Sequence, residues 1–109
     1  MVRAVAVVLA LIAQGATPAL AERDLCTPGA KHHGATIDLD VTHADIKDVL
    51  RLLADTASIN LVVSDDVDGK VTLKLKRVPW DAATCTIAAL EHLKITVDDN
   101  ILLVRRAGR

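Results

Sequence analysis

The chain has no phenylalanine and no tyrosine, and Trp80 is its single aromatic residue. Bases of single-stranded nucleic acid therefore find no row of rings to stack on. An excess of charge is missing too: 13 basic against 14 acidic residues give a formal net charge of −1. That balance supplies no field for a polyanion, and no basic stripe stands out. Cysteine occurs twice, at Cys26 and Cys85, with no Cys-x-x-Cys spacing, so a structural zinc site has no ligand framework. His32 and His33, with His43 further on, are accordingly read as solvated side chains and not as metal ligands. There is no Gly-rich phosphate loop and no recognisable Ser/His/Asp set, which leaves neither a phosphate cradle nor a hydrolytic constellation. Residues 65–69, DDVDG, look like half a calcium loop. The downstream Glu that would close such a loop is missing, so a polar turn is the better reading. No cofactor, small-molecule substrate or nucleic acid is expected, and the chain does not read as an enzyme.

A long apolar run is also absent. Ala4 to Ala13 (AVAVVLALIA) is too short to span a bilayer. Arg3 precedes it and Ala19-Leu20-Ala21 follows, the order of a secretory signal with a small-x-small cleavage site. Residues 1–21 are read as that signal, with Glu22 as the mature N-terminus; a retained membrane anchor is the alternative. Arg23-Asp24-Leu25 before Cys26 lacks the small residues of a lipid-modification site. Cleavage would remove one base, Arg3, and move the formal charge from −1 to −2. Residues 22–109 then make one small domain with a modest core, which benefits from a covalent staple.

What is present centres on residues 62–83, VVSDDVDGKVTLKLKRVPWDAA. Val71, Leu73 and Leu75 alternate with Thr72, Lys74 and Lys76, the pattern of a half-buried strand. Asp65, Asp66, Asp68 and Gly69 supply a turn, and Pro79 is preset for the first turn of a helix. Upstream, residues 22–34 are polar, carry no period and are read as an extended arm. Ile37, Leu39 and Val41 predict a strand. Thr42 to Asp45 has helix-start chemistry. Ile46, Val49, Leu50, Leu53 and Ala57 recur at helical spacing, with Lys47, Asp48, Arg51 and Asp55 on the opposite side. Ile59 to Ser64 is a strand with Leu61 and Val63 on one face. Downstream, Trp80 to His92 is a second helix, Lys94 to Asp98 a strand with Ile95 and Val97 facing one way, Asp99-Asn100 a hairpin turn, and Ile101 to Arg105 the last strand.

The order β-α-β-β-α-β-β predicts an α+β fold, two helices packed with small mixed sheets. Shifting the chain by 34 residues superimposes its apolar positions: Ile37 on Val71, Leu39 on Leu73, Val41 on Leu75, Ile46 on Trp80, Leu53 on Ile87, Leu61 on Ile95 and Val63 on Val97. Two β-α-β units sharing one core give that coincidence; so do any two such segments of equal length, and both readings predict the same fold. The predicted core is Ile37, Leu39, Ile46, Val49, Leu53, Leu61, Val63, Val71, Leu73, Leu75, Trp80, Ala83, Ile87, Leu90, Ile95 and Val97. Trp80 is read as core, in line with its match to Ile46, and not as a partner anchor.

On a helical wheel, Ala82, Cys85 and Ala89 lie on the far side of the second helix, where the first helix carries charges. A small, uncharged outer face implies a cover. In an oxidising compartment the simplest use of two cysteines is a disulfide, so the arm is expected to lie across this helix, held by Cys26–Cys85. Two free thiols or bridges between chains are the alternatives, and electrophoresis with and without reductant separates them.

These residues resemble the secretin and TonB short N-terminal domain, the small periplasmic module of outer-membrane secretins and of TonB-dependent signalling receptors. ATIDLDVTHADIKDVLRLLADTASINLVVSDDVDGKVTLKLKRVPWDAA and ITVDDNILLV carry the likeness, over residues 35–106. The resemblance implies a periplasmic, non-enzymatic module that contacts other envelope proteins, in association with the outer membrane. Secretin or inner-membrane components of a secretion, pilus or signalling system are the implied partners. A self-assembling ring or cap subunit is the alternative. The chain departs from the family's pattern at Thr84, where a larger apolar residue is usual, and at Cys85, where a polar one is usual. It also has no length for a secretin ring or a receptor barrel, so it reads as a small secreted protein. Lys70, Lys74, Lys76 and Arg77 on the wet side of the central strand have two readings: a solvated guard against edge pairing, or a docking strip for an acidic partner.

Overall fold

The structure is a computed structural model, and it describes residues 23–29 and 31–108. The signal reading of residues 1–21 lies outside that range. Among the described residues eight elements follow in order: β1 (Arg23–Asp24), β2 (Thr36–Asp45), α1 (Ile46–Ala57), β3 (Asn60–Val63), β4 (Lys70–Pro79), α2 (Trp80–Glu91), β5 (Leu93–Asp98) and β6 (Ile101–Arg106). They form a four-stranded sheet, β1-β5-β6-β3, and a two-stranded ribbon, β2-β4. In the sheet β6 runs antiparallel to β5 and parallel to β3. Each helix touches its neighbour, one strand of the ribbon and one strand of the sheet. The helices are thus the middle layer, and apolar side chains reach them from both sides.

The 34-residue shift seen in the apolar pattern extends to the backbone. It carries the bounds of β2 onto those of β4, and of α1 onto α2. In the ribbon Thr36 lies opposite Pro79, Asp45 opposite Lys70, and Asp40 opposite Lys74 near the centre. Exchanging the halves maps the first two pairs onto each other and the central pair onto itself, the mark of a two-fold relation. Positive φ angles recur at the same offset: His43 and Arg77 both at 54°, Ser58 at 55° and His92 at 57°. His43 and Arg77 sit at the two register shifts of the ribbon. There the His43 N–H donates to Thr72 Oγ1 at 3.0 Å and the Arg77 N–H to Asp38 Oδ1 at 2.7 Å. Ser58 and His92 close the helices, donating their N–H groups to Ala54 and Ala88 carbonyls. Even the ribbon-to-helix corners repeat, with Ile46 N–H on Gly69 O and Trp80 N–H on Ala35 O. Two β-α-β units about a shared core are what the structure contains. β1 and β6 lack counterparts; β6 runs between β3 and β5.

The core differs from expectation at several residues. Leu90 was expected inside and is 56% exposed. The buried arc of α2 holds Ala83, Thr84, Ile87 and Ala88, and Leu90 stands well off the middle of it. Ile37, Leu61, Val63, Leu73, Leu75 and Trp80 pack against the core while keeping part of their surface in water. Leu50, Val67, Leu102 and Val104 are wholly buried. Val67 was concealed among aspartates. Thr84 is buried without cost because its hydroxyl donates to the Trp80 carbonyl at 2.8 Å. The start of α1 also moves: Asp45 caps it, Oδ1 accepting from the Lys47 N–H at 2.9 Å. Thr42 stays in the strand, because the ribbon keeps pairing as far as Asp45 opposite Lys70.

Candidate interaction surfaces

The arm is more than a tail. Arg23 and Asp24 form β1, opposite Val97 and Thr96 on the outer edge of β5. The Leu25 N–H continues that pairing to the Ile95 carbonyl at 3.0 Å. Cys26 is bonded to Cys85, with the two Cα atoms 5.4 Å apart. Further on, His32 Nδ1 lies 3.2 Å from Asp81 Oδ2, both side chains mostly shielded. Gly34 then passes the indole of Trp80 so closely that a Cβ there would overlap Nε1 and Cδ1. The arm therefore lies over α2 from its middle, at Cys85, to its start, at Trp80. Ala82 and Cys85 are partly covered beneath it, while Ala89 remains exposed. Two bonded sulfurs offer no thiolate to a metal. Among the described residues no group of three or more His, Cys, Asp or Glu side chains is placed to hold one. His33 and His43 are exposed.

Lys70, Lys74, Lys76 and Arg77 all lie on β4 and are exposed. The fold sets an acidic row beside them: Asp45 opposite Lys70, Asp40 opposite Lys74, and the Asp38 carboxylate on the Arg77 N–H. The wet face of the ribbon is thus charge-balanced, one strand acidic and its neighbour basic. Each of its edges also carries a bulge, and bulges twist an edge away from a new partner strand.

The acidic turn before β4 is held from both sides. Val67 is sunk in the core, Ser64 Oγ donates to Asp66 Oδ1 at 2.7 Å, and Arg106 Nη2 donates to the Asp66 carbonyl at 2.9 Å. Its carbonyl is therefore already engaged by a guanidinium.

A different concavity lies between α1 and the open edge of β3. This groove of about 500 Å³ has Ala54, Ile59, Leu61 and Val63 as its apolar lining and Lys47, Arg51, Asp55 and Asp65 among its polar ones. The sequence marks those charges as the solvated side of α1. It gives no sign that β3 is an edge, because strand order is a property of the whole sheet. Val62, 48% exposed, and Ile101, 37% exposed, lie on the outer face of the same sheet. No described helix is long and apolar enough to cross a membrane.

No protein-family model matches the chain. Curated relatives do. The fimbrial assembly protein PilQ of Pseudomonas aeruginosa is 39% identical over 74 residues, 68% of this chain and 10% of that protein. The type IV pilus biogenesis and competence protein PilQ of Neisseria meningitidis is 39% identical over 69 residues, 63% of this chain and 9% of that protein. The DNA utilization protein HofQ of Escherichia coli is 40% identical over 68 residues, 62% of this chain and 16% of that protein. The chain thus spans about a tenth of the length of the first relatives it matches. Among solved structures, the N0 domain of the type II secretin from enterotoxigenic Escherichia coli matches over all of its length and 71% of this chain, with a TM-score of 0.60 at 12% identity, a likeness of fold. The Vibrio cholerae type IV competence pilus secretin PilQ, solved by electron cryomicroscopy, matches over 62% of this chain and 16% of its own, with a TM-score of 0.57 at 37% identity. Sequence and fold converge: the chain is homologous to a part of PilQ and HofQ and has the fold of a secretin N0 domain.

Proposed function

We propose that the chain is a non-enzymatic, periplasmic protein–protein interaction module of a type IV pilus or secretin-type secretion system. The observation that carries the reading is the 39% identity over 74 residues to a pilus assembly protein. The match covers 68% of this chain. The chemistry of the described side chains supports it. Both cysteines are spent on the arm, and the His32–Asp81 pair fastens that arm to α2. The ribbon's charges face one another across the strands.

The test is capture with crosslinking in the periplasm of a cell that carries a type IV pilus secretin, using the disulfide-bonded chain as bait. The expected catch is a component of the pilus or secretion machinery, lost when the bait is unfolded. Equal recovery with folded and unfolded bait would overturn the reading.

A further inference from the structure

We propose that the groove between α1 and β3 is a docking seat for an extended, acidic segment of an envelope protein, which adds to β3 as β1 adds to β5. The inference rests on the interaction-module reading and names the surface and the chemistry of its partner.

The two halves of the fold carry two copies of one seat. The 34-residue shift takes Lys47 to Asp81, Arg51 to Cys85, Ala54 to Ala88, Ile59 to Leu93, Leu61 to Ile95 and Val63 to Val97. The first of each pair lines the groove on α1 and β3. The second belongs to α2 and β5, where the arm lies: Cys26 on Cys85, His32 on Asp81, Leu25 on Ile95 and Arg23 opposite Val97. β6 separates β3 from β5, so exchanging the halves brings the outer edge of one onto the outer edge of the other. One seat is filled by this chain's own extended segment. The other has the same apolar floor, with Lys47 and Arg51 in place of Asp81 and Cys85.

The main chain of β3 is ready for a partner. The Asn60 N–H donates to the Asn100 carbonyl and the Ser64 N–H to the Val104 carbonyl, both at 2.9 Å and both towards the β6 side. Backbone groups alternate along a strand, so those of Leu61 and Val63 point to the open edge. They correspond to Ile95 and Val97, which face β1. β3 pairs with β6 without a register shift, unlike the bulged strands of the ribbon, and an unbulged edge accepts an added strand more readily.

The charges specify the occupant. The arm brings His32 to the Asp81 carboxylate, and in the other seat that position is Lys47. It brings Cys26 to Cys85, and there the position is Arg51. An occupant that follows the arm's path therefore needs an apolar residue over Leu61, as Leu25 lies beside Ile95, and anions near Arg51 and Lys47. Arg51 Nη1 contacts Asp48 at 3.0 Å on a side chain 63% exposed, so its other nitrogens remain on the surface. Asp55 and Asp65 line the same groove and confine the partner's acids to the Lys47–Arg51 side by repulsion.

The test uses the isotope-labelled, disulfide-bonded chain and a synthetic peptide copying residues 23–33 with Cys26→Glu and His32→Glu. Saturable shifts of the Leu61 and Val63 amides are expected, with a Kd of roughly 0.1–1 mM for so short a strand. K47E/R51E should weaken binding at least about tenfold with Trp80 emission unchanged. If that double variant does not fold, R51E alone, at an exposed position, serves the same comparison. A control peptide with only Cys26→Ser should bind at least about tenfold more weakly. No shifts at these amides, or binding indifferent to K47E/R51E, would overturn the proposal. Equal binding of the Cys26→Ser peptide would also overturn it, by making the occupant the arm of a second copy. Failure here is separable from failure of the broader reading. Periplasmic capture that persists in the peptide-blind K47E/R51E chain leaves an interaction module without this seat. Peptide binding with no periplasmic capture leaves the seat without an envelope partner.

Discussion

Gly34 shows how a single missing methyl group fixes a surface. Its backbone needs no special dihedral; what it needs is room, because Trp80 occupies the space a Cβ would take. Gly34→Ala should therefore lower stability by about 1–3 kcal/mol, the usual cost of overpacking. Trp80 is the only strong fluorophore, so its emission should shift in the same variant, and urea unfolding followed by that emission measures both effects. Ser58 and His92 make a paired case. Each ends a helix with a left-handed φ that favours glycine. Ser58→Gly and His92→Gly should each stabilise by up to about 1 kcal/mol, read as a raised denaturation midpoint, and by similar amounts if the two-fold relation holds energetically. Leu50→Ala or Ile87→Ala should cost about 2–5 kcal/mol in the same assay, and Leu90→Ser no more than about 0.5 kcal/mol. The contrast checks the correction at Leu90 directly. At this scale the sequence was legible wherever apolar residues repeat. Val67 stands alone among aspartates, so only its surroundings reveal it; Thr84 falls at the 34-residue offset from the buried Leu50, but its hydroxyl breaks the apolar pattern.

Among the elements, strands and helices with a period could be read from the chain, and those held by partners could not. β1 has two residues and therefore no alternation; it exists because β5 has a free edge and Cys26 is tied to Cys85. The bulges at His43 and Arg77 leave no sequence mark either, since neither residue is glycine. Their N–H groups are met by side chains across the ribbon, which is what makes the distortion affordable. The arm's dependence on its bond can be measured. Replacing both cysteines by serine should reduce stability by about 2–4 kcal/mol, on the loop-closure argument for residues 59 apart in sequence. Amide exchange at Leu25, which donates to Ile95, should accelerate more than exchange at Ile87 in the middle of α2. Equal acceleration at both sites would mean that the bond holds the whole fold and not the arm. The groove on α1 was half legible: its charges stand out on the helical wheel, but the open strand beside them does not.

For the whole molecule, the layered arrangement follows from two amphipathic helices whose apolar sides must be covered from both directions. The 34-residue coincidence of apolar positions already pointed to two units. What it could not convey is that they face each other about an axis, because direction in space has no counterpart in a periodic pattern. That axis passes close to β6, which lies between the matched strands β3 and β5. Exchange of the halves swaps its two neighbours and reverses its own direction, so the slot between them offers nearly the same rails to a strand threaded either way. The Asp99–Asn100 turn, by tethering one end, selects the orientation that Leu102 and Val104 need to reach the interior. Cutting the chain at that turn would free the strand to choose, and the two fragments, mixed, would show whether side-chain fit alone can tell forward from backward.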